Sequence, residues 1–129
     1  MNDSDFFALC QKDSLQQINE AIRNGANVNA KRQNDGATVL MFAAFKNTNP
    51  EVMAALIKAG ANVNARNEEG MTALMFAANN SNPEVIATLV KEGANVSATD
   101  KKGWTPLMFC IMNNNPNPDV IRAFINLKV

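Results

Sequence analysis

The chain contains no histidine and no tyrosine among its 129 residues. Histidine is the side chain most often used as a general base, and without it neither a Ser–His nor a Cys–His pair can form. No group of residues has the spacing of metal ligands, and no glycine-rich phosphate-binding loop is present. We therefore predict that the chain is not an enzyme, with no catalytic residue, no metal site and no cofactor.

An excess of charge of either sign is also missing, because twelve basic residues balance twelve acidic ones. Proteins that bind nucleic acids usually gain affinity from a basic surface, so we expect no nucleic-acid partner. No apolar run approaches the roughly 20 residues that span a bilayer, so we expect no membrane insertion. The acidic start, Met1 to Asp5, lacks the order of a secretory signal. If this is the native start, a cytoplasmic location is expected; the alternative is a chain whose signal has been removed.

Glycine is scarce, and its six occurrences fall into two phased sets with intervals of 33 to 35 residues. One set is Gly36, Gly70 and Gly103; the other is Gly25, Gly60 and Gly93. The segments that follow the first set align with one another as GATVLMFAA, GMTALMFAA and GWTPLMFCI. This periodicity indicates an internal repeat, and repeats of this length are typical of stacked solenoids.

Each repeated motif has a local structural meaning. Thr38, Thr72 and Thr105 are candidate N-caps of a first helix, and Pro106 suits the first helical position. An Asn-Pro-acid motif at residues 49–51, 82–84 and 117–119 predicts the start of a second helix. The glycines of the second set end that helix. The unit is therefore a turn, a short helix, a loop, a longer helix and a stop.

These motifs resemble the ankyrin repeat, whose signature is Thr-Pro-Leu-His-x-Ala in a unit of about 33 residues. Here the signature reads TVLMFA, TALMFA and TPLMFC at residues 38–43, 72–77 and 105–110. The resemblance implies an all-α ankyrin-repeat solenoid of stacked helix-turn-helix hairpins with β-turn tips. It implies a single domain over residues 1–129, with approximate repeats 1–33 (N-terminal cap), 34–67, 68–100 and 101–129 (C-terminal cap).

Two departures from the family pattern lead to expectations of their own. Methionine replaces the signature histidine at Met41, Met75 and Met108. In the family that histidine helps to hydrogen-bond the turn, so here we expect an apolar contact and a looser turn. Ile111 and Phe124 are larger than their counterparts in earlier repeats, which is tolerable where no further repeat packs. We interpret the last repeat as a true cap; the alternative is a fragment of a longer array.

The chain has only two cysteines, Cys10 and Cys110, and both lie in apolar helical patterns. We expect reduced thiols in the core, and the alternative is a redox pair. In a linear array the two lie about three repeats apart. Helices pack about 8–10 Å apart whereas a disulfide needs Cα atoms within about 7 Å, so an intrachain bond is not expected.

The resemblance also implies where a ligand binds, because ankyrin ligands meet the concave surface made by the turn tips and first helices. The positions of this chain that match that surface are predicted to bind a partner: Ala37, Phe45, Lys46, Glu68, Glu69, Met71, Asn79, Asn80, Lys101, Lys102, Trp104, Met112 and Asn113. We expect Trp104 to anchor the partner, since interface hot spots favour buried aromatic residues with a polar rim. The alternative for Phe45, Met71 and Met112 is that they merely cover the core. Glu68 and Glu69 could instead form a catalytic pair of carboxylates, but their place in an exposed turn disfavours that alternative.

The predicted function is accordingly a protein–protein interaction module that acts as a monomer and binds a protein partner. The alternative is a self-associating structural protein, a homodimer formed through the apolar C-terminal helix with Ile121, Phe124, Ile125 and Leu127. Ankyrin folds carry many unrelated targets, so the sequence does not identify the partner.

Overall fold

The computed structural model describes residues 2–12, 14–113 and 116–126. Within these residues the chain forms eight α-helices: α1 (Asp3–Cys10), α2 (Leu15–Arg23), α3 (Val39–Lys46), α4 (Pro50–Lys58), α5 (Ala73–Ala77), α6 (Pro83–Lys91), α7 (Pro106–Ile111) and α8 (Pro118–Ile125). Each odd-numbered helix packs against the helix that follows it and against the odd-numbered helices of the neighbouring repeats. The even-numbered helices stack in the same way and form a second layer. The predicted all-α solenoid of helical hairpins is confirmed.

The helices begin where the caps predict. The Thr38 hydroxyl accepts a hydrogen bond from the Met41 N–H at 3.2 Å, and the Thr105 hydroxyl accepts one from the Met108 N–H at 3.3 Å. In the second helices the asparagine side chain of each Asn-Pro-acid motif accepts from the N–H two residues later, at 2.9 to 3.0 Å. Each such cap stabilises its helix by about 1 kcal/mol. The helix starts are therefore determined by local side chains.

Methionine takes over part of the role of the missing histidine. The Thr38 N–H donates to the Sδ atom of Met41 at 3.3 Å, and the Thr72 N–H donates to the Sδ atom of Met75 at 3.5 Å. Both methionines are buried, so the predicted apolar contact is present. The sequence analysis did not predict that the sulfur atom also acts as a weak hydrogen-bond acceptor that helps to hold the turn. In the third repeat the Thr72 hydroxyl is buried without a hydrogen-bond partner in the described part of the chain.

The core runs along the interface between the two helix layers. The alanine pairs Ala43–Ala44 and Ala77–Ala78 are buried where α3 and α5 approach each other, because small side chains let neighbouring hairpins pack closely. Cys10 and Cys110 are free and buried, which confirms the predicted core thiols. Burial raises the pKa of each thiol from 9.0 to about 12.

Asparagine side chains tie each repeat to the next. The Asn47 amide donates to the backbone oxygen of Cys10 at 3.0 Å and also to that of Lys12. One repeat later, the Asn80 amide donates to the backbone oxygens of Ala44 and Asn47 at 2.9 and 2.8 Å. These buried amides satisfy carbonyl groups at the ends of the first helices, which would otherwise be costly to bury. They are therefore part of the scaffold.

A second column of asparagines lies at the opposite end of the hairpins. The Asn29 amide donates to the backbone oxygen of Gly60 at 3.0 Å and accepts from the Asn62 N–H at 3.0 Å. Asn64 repeats both bonds with Gly93 and Asn95, at 3.1 and 2.9 Å.

None of the helices in the described ranges is both long and apolar enough to cross a membrane.

Candidate binding surface

The turn of the fourth repeat is shaped by one acidic side chain. The Asp100 carboxylate accepts hydrogen bonds from the N–H groups of Lys102 and Trp104, both at 2.9 Å. Asn67 makes the corresponding pair of bonds in the third repeat, at 3.0 and 2.9 Å. Asx side chains commonly close turns in this way. The indole of Trp104 is therefore carried on a backbone that its own turn holds in place.

Successive turns stack directly on one another. The Glu68 N–H donates to the backbone oxygen of Asp35 at 2.9 Å, and the Lys101 N–H donates to that of Glu69 at 3.0 Å. Gly70 has a φ of +79°, and a Cβ atom there would lie only 3.0 Å from the Lys101 nitrogen. Glycine is thus needed both for the turn and for the close approach of the next one. The turn tips consequently form a continuous edge.

Six aromatic side chains of the first helices and the fourth turn pack in three pairs, and we call them the aromatic row: Phe7, Phe42, Phe45, Phe76, Trp104 and Phe109. The rings of Phe7 and Phe42 lie edge to face with centroids 5.3 Å apart. The rings of Phe45 and Phe76 do the same at 6.2 Å, and those of Trp104 and Phe109 are tilted at 5.3 Å. These are favourable geometries for aromatic pairs.

Basic side chains cover the first part of the aromatic row. The Arg32 guanidinium lies 4.6 Å from the centre of the Phe42 ring, and the Lys46 ammonium lies 5.2 Å from that of Phe45. Arg32 also pairs with Asp35, with its Nε 3.1 Å from Oδ1. This side-chain hydrogen bond lowers the pKa of Asp35 and raises the pKa of Arg32. Cations over ring faces add a modest electrostatic attraction at such exposed sites.

The other end of the row opens into a pocket with a volume of about 400 Å³, which we call the turn pocket. Met71, Trp104 and Phe109 provide its apolar surface. Asp100 of the fourth turn also lines it, and its carboxylate accepts the N–H groups of Lys102 and Trp104. The exposed rim carries two acidic residues of the third turn and two basic residues of the fourth: Glu68, Glu69, Lys101 and Lys102. None of these four forms a salt bridge among the residues that the structure describes.

The predicted partner-binding residues differ widely in exposure. Phe45, Lys46, Glu68, Glu69, Asn79, Lys101, Lys102 and Met112 are exposed, whereas Met71, Trp104 and Asn113 are partly buried. Ala37 and Asn80 are only 2% and 3% exposed, so they offer a partner little surface. Ala37 packs in the core, and the Asn80 amide is occupied by backbone oxygens of the preceding repeat. Partner binding stays a prediction for all of these positions.

Four members of the aromatic row were missed by the sequence analysis: Phe7, Phe42, Phe76 and Phe109. A signal for three of them was present, because phenylalanine follows Leu-Met in every copy of the signature. That place is the unspecified residue of the family signature, which indicates a surface position. Phe7 precedes the first full motif and has no such signal.

Comparison with known proteins identifies the family. The profile of ankyrin repeats (3 copies) matches residues 6–100 and, in a second overlapping match, residues 40–129. A search of curated proteins finds no significant match. Ankyrin repeats are generally protein–protein interaction modules and are typically non-enzymatic. Because the two matches together run from residue 6 to residue 129, the chain belongs to the ankyrin-repeat family.

Proposed function

We propose that this chain is a protein–protein interaction module that captures its partner on the aromatic row. The observation that carries the proposal is the set of six aromatic rings on the first helices and the fourth turn, packed in three pairs, five of which border open grooves that also contain charged residues. Interface hot spots are enriched in such aromatic anchors with a polar rim. A cytoplasmic location is part of the proposal, since buried free thiols are compatible with a reducing compartment.

The rings are only partly covered by their own chain. Phe42, Phe76, Trp104 and Phe109 are half-buried, and Phe45 is exposed. A partner side chain that covers the remaining apolar surface contributes about 25 cal/mol per Å² removed from water. The rings are also held in place by packing against one another, so little rotamer freedom is lost on binding. These two properties favour the row as the energetic centre of an interface.

The test compares capture of protein partners by three immobilised chains: the unaltered protein, Trp104→Ala and Ile125→Ala. Ile125 is an exposed apolar residue on α8, away from the row, and serves as the matched control. Captured proteins from an extract of the source organism are quantified by mass spectrometry, after circular dichroism has shown that each variant is folded. We expect at least one protein to be lost about tenfold or more with Trp104→Ala only, which corresponds to roughly 1.4 kcal/mol. Equal capture by all three chains would contradict the proposal.

Self-association is a second candidate, and one observation favours it. Among the described residues, the large hydrophobic side chains with the greatest exposure all belong to the last repeat: Met108 40%, Ile111 51%, Met112 64% and Ile125 67%. Phe124, which the sequence analysis included in this surface, is only 8% exposed and offers another copy little area. Leu127 lies outside the described residues.

Sedimentation over a concentration series distinguishes this second candidate. Self-association through the last repeat predicts a mass that rises with concentration and that returns to the monomer in Ile111→Ser/Ile125→Ser. Both positions are exposed, so the double variant is expected to remain folded. A monomer at every concentration removes the candidate and leaves partner capture as the proposed function.

A further inference from the structure

The turn pocket combines an apolar surface with an ordered arrangement of charge. Trp104 and Phe109 form a rigid aromatic pair, and Met71 of the preceding turn adds a flexible apolar wall. A methionine wall adapts to side chains of different shape. The pocket volume of about 400 Å³ lies in the range of sites that hold part of a ligand. Its interior therefore suits a large apolar side chain.

The exposed charges at the rim of the turn pocket change sign from one repeat to the next, while the partly buried Asp100 carboxylate is used in the hydrogen bonds of its own turn. Glu68 and Glu69 lie on the third turn, and Lys101 and Lys102 lie on the fourth. The two turns are adjacent, since the Lys101 N–H donates to the backbone oxygen of Glu69 at 3.0 Å. The acidic pair and the basic pair therefore lie next to each other along the edge formed by the turn tips.

A ligand with charge of one sign is disfavoured by this arrangement. A cationic segment that approaches Glu68 and Glu69 also approaches two ammonium groups, and an anionic segment meets the opposite conflict. A segment that carries both signs satisfies both pairs at once. The four side chains are exposed and form no salt bridge within the described ranges, so no internal pair has to be broken.

We infer that the turn pocket binds a partner segment in which a large apolar side chain lies between basic and acidic residues. The apolar side chain enters against Trp104, the basic residues face Glu68 and Glu69, and the acidic residues face Lys101 and Lys102. This inference rests on the proposed function, because it specifies the partner that the aromatic row captures.

Trp104 is the only tryptophan in the chain, so its emission reports directly on the pocket. The probes are synthetic peptides of about ten residues, roughly 30 Å when extended, that contain neither tryptophan nor tyrosine. The mixed peptide carries a central leucine between a lysine pair and an aspartate pair, in either order. Three further peptides carry lysine pairs on both sides, aspartate pairs on both sides, or the mixed charges around a central alanine.

We expect the mixed leucine peptide to change the Trp104 emission and to bind about tenfold more tightly than each of the other three. Charge reversal provides the decisive control, because the rim is exposed and the variants retain the pocket. E68K/E69K should shift the preference to the peptide with aspartate on both sides. K101E/K102E should shift it to the peptide with lysine on both sides.

The inference is overturned if the charge variants leave the order of affinities unchanged, or if none of the peptides alters the emission. It is also overturned if a single-stranded oligonucleotide binds more tightly than the mixed peptide and loses binding in K101E/K102E. If protein capture still depends on Trp104 in any of these cases, the proposed function stands without the inference. If Trp104→Ala leaves protein capture unchanged, the proposed function itself fails.

Discussion

The second and third repeats contrast with the fourth, although all three carry the same motifs. Met75 in the third repeat is fully buried, whereas Met108 at the same place in the fourth is 40% exposed. Ala78 is 3% exposed, whereas its counterpart Ile111 is 51% exposed. The backbone near each helix start is nevertheless alike, with N-cap residues Thr72 and Thr105 in extended conformation. Equivalent sequence positions thus have equivalent local structure but different burial.

The difference follows from the number of neighbours. The inner helix α5 packs against α3, α7 and its own partner α6, whereas α7 packs against α5 and its own partner α8. Each hairpin of a solenoid leaves an apolar face that only an adjacent repeat can bury. Burial in this protein is therefore a property of the stack, and substitutions should be costly in the middle and mild at the end.

The largest expected effect is that of shortening the capping methionine in the inner array. Met75→Ala removes a fully buried side chain and should lower the free energy of unfolding by about 3 kcal/mol. Met108→Ala, the matched change in the last repeat, should cost less than about 1 kcal/mol because the side chain is partly solvated. Urea unfolding monitored by circular dichroism measures both. Equal losses would show that stacking does not govern the cost.

The buried asparagine of the third repeat is the next test. Asn80→Ala leaves the backbone oxygens of Ala44 and Asn47 without their donor, so it should destabilise the fold by about 2 kcal/mol. Asn113→Ala is the control in the fourth repeat, where the amide donates to the exposed Asn79 side chain at 2.7 Å. That change should cost less than Asn80→Ala, because Asn113 is only partly buried. A larger loss for Asn113→Ala in the same unfolding experiment would reverse the comparison.

Exchanging small and large residues between the two regions should have a smaller effect. Ala78→Ile overfills the contact between stacked hairpins and should cost about 1–2 kcal/mol. Ile111→Ala, the reverse change at the equivalent position, should alter stability by less than about 0.5 kcal/mol. Thermal unfolding of the two variants side by side provides the measurement. If Ala78→Ile is neutral, the close approach of the hairpins is not limiting.

The smallest expected effect is a difference in alkylation rate between the two thiols, since Cys10 lies in the first repeat and Cys110 in the last. Both have a pKa raised to about 12 by burial, so at pH 8 they remain protonated and react only after local opening. We expect iodoacetamide to modify Cys110 several-fold faster than Cys10, as followed by mass spectrometry. The same reaction in urea is the control, where both thiols should react at one rate. Faster modification of Cys10 would contradict this expectation and would show that the first repeat opens more readily than the last.

The raised thiol pKa values also set a direction for alkaline stability. The folded thiols hold their protons up to about pH 12, whereas thiols in the unfolded chain ionise near pH 9. Between pH 9 and 12 the unfolded chain releases the thiol protons while the folded protein keeps them. The free energy of unfolding should therefore fall as the pH rises through this range. A Cys10→Ala/Cys110→Ala variant should show a shallower decline over the same range.

Much of the fold was predictable because its signals are local. Asparagine and threonine caps, proline at first helical positions and glycine stops act within a few residues, and Asn49, Asn82 and Asn117 all cap the helices they were expected to cap. The role of Met41 was harder to foresee. Its sulfur accepts a bond from Thr38 only because the side chain folds back over the turn.

The binding surface was less predictable, because exposure depends on what packs from the next repeat. Ala37 and Asn80 match surface positions of the family by alignment, yet neighbouring elements bury both. Phe42 and Phe76 were not among the predicted binding positions, yet they lie half-exposed on the aromatic row.

The amino-acid sequence by itself determined the repeat, the helix starts in the second to fourth repeats, the glycine stops of the second helices and the positions of the turns. These features depend on interactions between residues a few places apart, so they survive in every copy of the motif. Only the tertiary structure decided which side chains remain accessible, how the rings of the aromatic row meet, and that Glu68–Glu69 and Lys101–Lys102 border one pocket. Those properties arise between repeats, where residues about 33 places apart come into contact by stacking.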